Sequence, residues 1–479
     1  MANNYIIKNL CCLALAAGSV AYAAESDVIV KEGIGASMNI QNLLQEYIED
    51  SSAVGTAVAI IDDGRVSFYT YGKKSVSGND LISEDTIFEI GSVTKVFTTL
   101  LLADMSARGD LHLDDPVEKH LPGIKIPELD GKKITLRHLA SHTSGIARMP
   151  DNFSPKDPSN PYQDYTIDRL FEYLESCTLT RVPGESFEYS NLGMGLLGHI
   201  LSIRSGKSYE EMVKDLISSK LNMPNTSISL TSKMTSNFAS GHHLTQEVSY
   251  WDIPGLAGAG ALRSNIKDMA KFLAANMNED NPVHTLFDQC HQQQYSPMPA
   301  FAVGLGWMLS TSNQANLIWH NGGTGGFRSY IGFNPQLKRG VAILSNSTED
   351  WPDEFGLIVL DPDYKRPVID KSLAGNPEYL NQFAGSYRAI LPKGAPEQEL
   401  TIAVFGKLLG SMLSGGEVGM LYPESPGIFG VKGFPDGKVF FIFDEEGQIE
   451  KVEARLISSG ALLWEAVPLK VESVTLGQG

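Results

Sequence analysis

The chain has 479 residues, of which 42% are hydrophobic, 9% aromatic and 20% charged, a globular composition with room for about three domains that excludes a disordered, fibrous or minimal scaffold. Thirty-eight Lys and Arg against 56 Asp and Glu give a formal charge of -18, which repels a phosphate backbone and excludes nucleic acid as an expected partner. Past the N-terminus no run of 18 apolar residues occurs, so no membrane-spanning helix is expected.

Residues 1–23 read as an address. Lys8 supplies the positive region, Leu10 to Ala17 the apolar region, and Ala21-Tyr22-Ala23 the small-x-small cleavage pattern of a secretory signal peptide, with cleavage expected after Ala23. The expected location is therefore periplasmic or extracellular; the competing reading is a cytosolic N-terminal helix. Cys11 and Cys12 leave with this segment. The remaining Cys177 and Cys290 are too few for a disulfide scaffold, and the sequence leaves open whether they pair.

Val54 to Asp62 and Val66 to Gly72 are β-rich runs around Asp63-Gly64-Arg65, a hairpin with a glycine turn. Ile87 to Ile90 reads as a short strand broken by Gly91. Helical periodicity follows, with Val96, Leu100, Ala103 and Ala107 on one stripe and Gly109 as the stop signal. Leu192 to Ser205 reads the same way, as does Asp268 to Asn276. Leu317 to His320, Phe327 to Phe333 and Val341 to Ser345 form an antiparallel meander around a glycine-rich turn and Asn334-Pro335. Strands at both ends with helices between predict an α+β domain over residues 24–360, an antiparallel sheet flanked by helices. Residues 361–376, with Pro362 and Pro367 among polar residues and Pro377 just beyond, read as a linker. From Phe383 onward, short apolar runs alternate with turn signals at Gly406-Lys407, Ser414-Gly415-Gly416, Pro435-Asp436-Gly437, Glu446-Gly447 and Ser459-Gly460, which predicts a small all-β barrel over 377–479.

The chemistry gathers in three places. Ser92 stands at a strand-to-helix junction with Lys95 one turn later, so the amine and the hydroxyl share a face, and the helix N-terminus disfavours a protonated lysine. A serine hydroxyl is a weak nucleophile until a base takes its proton. The pattern is not specific: Ser264-Asn265-Ile266-Lys267 repeats it, and Ser264 is expected to be only a helix N-cap. Tyr189-Ser190-Asn191 follows Pro183-Gly184 and precedes a helix; a phenol near a lysine can shuttle protons, and an Asn amide can orient a substrate carbonyl. A second Tyr-x-Asn, Tyr379-Leu380-Asn381, is read as structural. His320-Asn321-Gly322 ends a strand before the glycine run, where the Gly323 amide can donate to an oxyanion together with the Ser92 amide; a plain hairpin is the competing reading.

The three motifs in this order resemble the serine β-lactamase and penicillin-binding-protein superfamily, with the class C β-lactamases as the nearest branch. Leu139-Ala140-Ser141-His142-Thr143-Ser144-Gly145, Pro183-Gly184 and His320 to Phe327 extend the resemblance over roughly Leu43 to Leu360. It implies Ser92 as nucleophile, Lys95 and Tyr189 as the proton-transfer pair, Asn191, His320 and Gly322 as substrate-binding positions, the Ser92 and Gly323 amides as oxyanion hole, and His142 as a loop-holding residue. The tail looks like the lipocalin-like barrel of some relatives and is a candidate subunit contact. No cofactor or metal is implied, and the expected partner is a small-molecule or peptide substrate. Class C enzymes carry Lys where this chain has His320; a neutral imidazole is a poorer anchor for a carboxylate, and His there is frequent in related esterases and D-amino-acid peptidases. No arginine after Asn346 compensates.

The expected function is an exported serine hydrolase, class C-like, cleaving β-lactam amide bonds. The alternatives are a D-amino-acid peptidase or carboxylesterase of the same superfamily and, in a different class, a penicillin-binding sensor acylated without turnover. Gly206-Lys207-Ser208 is no phosphate loop, since Leu201 stands where its first glycine belongs, and there is no G-x-S-x-G or H-E-x-x-H. His242-His243 reads as a surface pair rather than a zinc site.

Overall fold

The computed structural model describes residues 29–31, 40–49, 51, 53–281, 284–298, 301–311, 316–361, 364, 369–390, 398–405, 408–413, 418–431, 434–457, 460 and 462–469. The expected signal peptide lies outside them, as do the turn signals at 406–407, 414–416 and 459 and much of the expected linker. The chain divides into two compact units at Tyr364/Lys365.

The first unit is built on a nine-stranded antiparallel sheet. Its strands are β1 (Ile29–Lys31), β2 (Gly55–Asp62), β3 (Arg65–Gly72), β4 (Tyr295–Met298), β5 (Phe301–Val303), β6 (Met308–Thr311), β7 (Asn316–Gly323), β8 (Arg328–Asn334) and β9 (Arg339–Ser345), in spatial order β1-β3-β2-β9-β8-β7-β6-β5-β4. β2 and β3 meet through a two-residue loop in which Asp63 (φ 46°) and Gly64 (φ 80°) both take the left-handed conformation that a tight hairpin needs. β2 reads as a continuous apolar run because both its faces are covered. Ala57, Ala59 and Ile61 join Ile331, Phe333, Ala342 and Leu344 in one core, while Val58 and Ile60 join Tyr330, Val341 and Ile343 in another.

Helices α1 (Ile40–Glu49) and α5 (Trp351–Leu360) cover the second face. α2 (Thr94–Ala107), α3 (Asn191–Ser205) and α4 (Ile266–Met277) contribute to the first core. The stripe expected on α2 is not what buries it: Thr94–Ala103 are all buried whereas Ala107 is exposed, because α2 is enclosed by other helices instead of lying on the surface. Gly109, at φ 78°, follows its end as expected. α3 starts at Ser190, whose side chain accepts from Gly193 N, and stops at Gly206 in the left-handed region.

The second unit is a closed antiparallel barrel of eight strands, β10 (Gly385–Ile390), β11 (Gln398–Phe405), β12 (Leu408–Leu413), β13 (Val418–Ser425), β14 (Ile428–Val431), β15 (Phe434–Phe443), β16 (Ile449–Leu456) and β17 (Leu462–Pro468), closed by pairing of β10 with β17. Closure leaves no sheet edge. Its core is aromatic: the Phe383 ring lies 4.9 Å from Phe429 and 4.6 Å from Phe441. Pro435-Asp436-Gly437, expected as a turn, falls inside β15, where the pairing with β14 slips between Gly430 and Val431. The slip absorbs the break that proline makes in a ladder. Tyr379-Leu380-Asn381 is structural as expected: Leu380 is buried in the barrel core and the Tyr379 hydroxyl accepts from Gly427 N at 3.0 Å. Within the expected linker, Asp370 N donates to Pro423 O of β13.

Candidate active site

A short strand, Phe88–Glu89, pairs with Arg263–Ser264 and delivers the chain to Gly91. Gly91 takes φ 48°, and a Cβ on it would stand 2.8 Å from both N and O of Gly323, so this position needs glycine twice over. The 3₁₀ turn Gly91–Val93 then runs straight into α2, leaving Ser92 half-buried and Lys95 fully buried one turn on. Lys95 Nζ lies 2.9 Å from Ser92 Oγ, 2.9 Å from Asn191 Oδ1 and 2.7 Å from the Ala259 carbonyl. Those acceptors favour the ammonium form, but burial, seconded by the Arg148 guanidinium, holds the lysine well below its usual range. A neutral amine keeps a lone pair that can accept the Ser92 proton.

Tyr189 reaches the same point from the chain entering α3. Lys95 Nζ is 4.9 Å from the centre of its ring, and the His320 ring is 6.2 Å away. The segment is held by His142, itself in the left-handed region at φ 56°: Ser190 N donates to His142 Nδ1 at 3.1 Å, Glu188 N donates to the His142 carbonyl at 2.8 Å, and the His142 ring lies 4.4 Å from that of Tyr189. Nδ1 accepts, so the imidazole is neutral, and burial, followed by the neighbouring basic groups Lys95, His320 and Arg148, pushes its pKa well down. Ser190 Oγ donates to Ala147 O at 2.8 Å and accepts from Gly193 N at 2.9 Å, joining the 142–149 loop to the first turn of α3.

The third wall is the end of β7. His320 is completely buried, its Nδ1 is 2.5 Å from the Asn321 carbonyl, and burial with the nearby Lys95 pushes its pKa down to about 3. At neutral pH it carries no charge, and Nδ1 donates to the carbonyl. Gly322 lies against the Ser92 turn: a Cβ there would stand 2.2 Å from Ile90 O and 3.0 Å from Ser92 N. Ser329 Oγ, also buried, donates to Ile90 O at 2.8 Å and pins the same contact. Gly323 is exposed, and its backbone nitrogen lies 2.8 Å from where a Cβ on Gly91 would stand, beside the turn that carries Ser92.

Ser92, Lys95, Tyr189, Asn191, His320, Gly322 and Gly323 are thus brought together from three distant stretches. Two readings need correction. Ser264 is not the cap of α4; it is still extended opposite Phe88, with Oγ 2.8 Å from Thr226 Oγ1, and Asn265 caps the helix by accepting from Asp268 N at 2.9 Å. Lys267 pairs with Asp85 instead. His242-His243 is no surface pair either, since His242 is completely buried with Nδ1 2.8 Å from Asn346 O and only His243 is exposed. Cys177 and Cys290 are both free thiols; burial pushes Cys290 up to about 12.

Three groups had no signal in the sequence. Ala259 contributes only a carbonyl. Arg328 sits opposite Gly323 in the β7–β8 ladder and pairs with the buried Asp353 of α5, 25 residues on. Arg148 lies outside every motif, yet its guanidinium carbon is 5.3 Å from the centre of the Tyr189 ring.

The family model described as Beta-lactamase matches residues 40–361. A beta-lactamase of Escherichia coli (strain K12) is 27% identical over 375 residues, covering 70% of this chain and 93% of its own length. Protein flp of Staphylococcus aureus (strain NCTC 8325 / PS 47) is 27% identical over 326 residues, covering 65% of this chain, which spans 63% of its length. Among solved structures, a beta-lactamase/D-alanine carboxypeptidase from Yersinia pestis complexed with citrate superposes with a TM-score of 0.59 at 25% identity, covering 66% of this chain and 95% of its own.

Proposed function

The chain belongs to the Beta-lactamase family and is a serine hydrolase, and from that membership we propose that it is an exported enzyme that acylates Ser92 and hydrolyses β-lactam amide bonds in the class C manner. The observation that carries this reading is the 2.9 Å contact between Ser92 Oγ and a buried Lys95 whose pKa is depressed. Neutral Lys95 takes the hydroxyl proton as Oγ attacks the lactam carbonyl, and the Ser92 and Gly323 amides donate to the oxyanion. When the C–N bond breaks, the Lys95–Tyr189 pair passes a proton to the departing nitrogen. Water then attacks the ester, gives its proton to the same pair, and the proton returns to Ser92 Oγ as the acid leaves. Asn191, whose Oδ1 faces Lys95, offers its amide to the substrate's acyl side. Export rests on the charge, apolar run and cleavage pattern of residues 1–23; no described helix is long and apolar enough to cross a membrane.

One observation favours a second reading, hydrolysis of D-amino-acid amides or of esters. His320 is buried and neutral, so it offers no cation to the carboxylate that a β-lactam carries beside its reacting bond. Steady-state turnover of the purified mature protein on a chromogenic cephalosporin, a p-nitrophenyl ester and a D-amino-acid p-nitroanilide decides. Fastest kcat/KM on the cephalosporin is the expected result; faster ester or anilide turnover replaces it with the second reading. A stoichiometric burst with no turnover on any of the three would leave a penicillin-binding sensor.

A further inference from the structure

We propose that Met149 is a modification site: oxidation of its sulfur to the sulfoxide takes the Asn191 amide away from the acyl group of the substrate. The inference rests on the acyl-enzyme reading above and adds a control on which acyl groups it accepts. Lys95 Nζ donates to Asn191 Oδ1 at 2.9 Å, which turns Nδ2 to the other side. There, among the described residues, Nδ2 donates to a single acceptor, Met149 Sδ, at 3.8 Å. The Tyr162 hydroxyl donates to the same sulfur at 3.6 Å, so two donors converge on it. The backbone just before Met149 is held against the start of α3: the Arg148 carbonyl accepts from Asn191 N at 3.2 Å, and the Ala147 carbonyl accepts from Ser190 Oγ at 2.8 Å. Met149 is half-buried, whereas Met194, Met223 and Met269 of the surrounding core are buried. Of these residues, Met149 is the one that solvent reaches.

A thioether sulfur is a weak acceptor, so a substrate carbonyl displaces it from Nδ2 at little cost. A two-electron oxidant such as hydrogen peroxide changes that. One peroxide oxygen bonds to a lone pair of Sδ as the O–O bond breaks, and its proton leaves with the departing hydroxide as water, so the sulfur is oxidised and the peroxide reduced. The new oxygen is a polar acceptor set where two donors already point. Once it holds Nδ2, a substrate must break an ordinary hydrogen bond to reach the amide. The loss falls on binding, and only for substrates whose acyl chain carries a carbonyl for Asn191. Ser92 and Lys95 keep their own contact throughout.

The test compares p-nitrophenyl N-acetylglycinate, whose acyl chain carries an amide, with p-nitrophenyl pentanoate, of equal chain length without one. Hydrogen peroxide treatment of the full-length protein, followed by mass spectrometry of the peptide containing Met149, should lower the glycinate-to-pentanoate ratio of kcat/KM by roughly three- to tenfold as the sulfoxide forms, the worth of one neutral hydrogen bond, with the change carried by KM. The two methionine sulfoxide reductases, one for each sulfoxide epimer, should restore the ratio. Met149→Leu, close in volume and without an oxidisable sulfur, should keep the native ratio and hold it through peroxide. Met149→Gln, which puts an acceptor oxygen there, should show the lowered ratio with no peroxide at all. Each ratio is internal to one protein, so a lower folded fraction cancels. A native Met149 that peroxide leaves unoxidised, a ratio that survives its oxidation, or an equal fall in Met149→Leu on peroxide treatment overturns the proposal. A neutral fluorophosphonate run in parallel isolates the premise: no Ser92-dependent labelling of the native protein overturns the acyl-enzyme reading itself, whereas labelling with an absent or unchanged amide preference overturns Met149 alone.

Discussion

Three acceptors within 2.9 Å favour the ammonium form of a lysine; at Lys95 complete burial and a neighbouring guanidinium oppose them and hold its pKa well below the usual range. In the proposed mechanism, nucleophile and base act as one unit. Ser92→Ala should abolish covalent mass addition by a penicillin or fluorophosphonate, Lys95→Ala should cost nearly as much, and the double variant should lose no more than either alone, read by mass spectrometry and kcat. Ser264→Ala should leave labelling intact, since its hydroxyl faces Thr226. His320 carries a different consequence, for stability. Its folded pKa, about 3, lies below the unfolded value near 6.5, so below pH ~6.5 the unfolded chain binds a proton that the native one refuses. Stability from this group is complete above pH ~6.5 and falls by up to about 1.4 kcal/mol per pH unit down toward pH ~3. Urea unfolding at pH 7 and pH 4.5 should show a smaller loss in His320→Asn than in wild type; equal losses would mean that His320 is reached by protons in the native state.

At the scale of elements, the site depends on how closely the end of β7 approaches the turn before α2. Gly322→Ala places a methyl 2.2 Å from Ile90 O, a backbone atom that cannot yield without moving Ser92. The expected outcome is a native circular dichroism spectrum with acylation slowed by roughly a hundredfold, the scale of a lost oxyanion donor. Wild-type acylation in that variant would separate the oxyanion donors from this contact. The cap of α4 is a quieter feature. Asn265→Ala removes the acceptor for Asp268 N and should cost about 1 kcal/mol in chemical denaturation, while Ser92 labelling persists.

For the whole molecule, the relevant fact is that each of the two units has hydrophobic clusters of its own among the described residues. Among the described residues, the sheet and its helices bury three clusters drawn from residues 40–360, and the barrel buries its own from 380–466. None of Ser92, Lys95, Tyr189, Asn191 and His320 belongs to the barrel. A chain ending near Asn376 is therefore expected to fold and to be acylated at Ser92, with light scattering reporting whether its native mass differs from that of the full chain. Loss of acylation in a truncated protein that keeps its circular dichroism spectrum would make the barrel part of the active site.

Local chemistry determined a good deal of this protein in advance. The Asp63-Gly64 hairpin, the break at Gly91 between strand and helix, the Ser190 start of α3 and the meander that carries His320 all follow from residues within a few positions of one another, because glycine conformations, caps and periodicity are short-range effects. The i, i+3 geometry of Ser92 and Lys95 is of the same kind. What the sequence could not decide is everything set by enclosure. It placed a stripe on α2, a helix that is buried nearly all round; it made Ser264 a cap although pairing with Phe88 keeps that residue extended; and it put His242 on the surface, where Asn346 in fact receives it in the interior. Burial depends on which distant segments pack over a residue, and so do the depressed pKa values of Lys95 and His320, the pairing of Arg328 with Asp353 and the position of Arg148 above Tyr189. Those contacts join residues tens to hundreds of positions apart, a distance over which no local pattern carries information, and only the tertiary structure decided them.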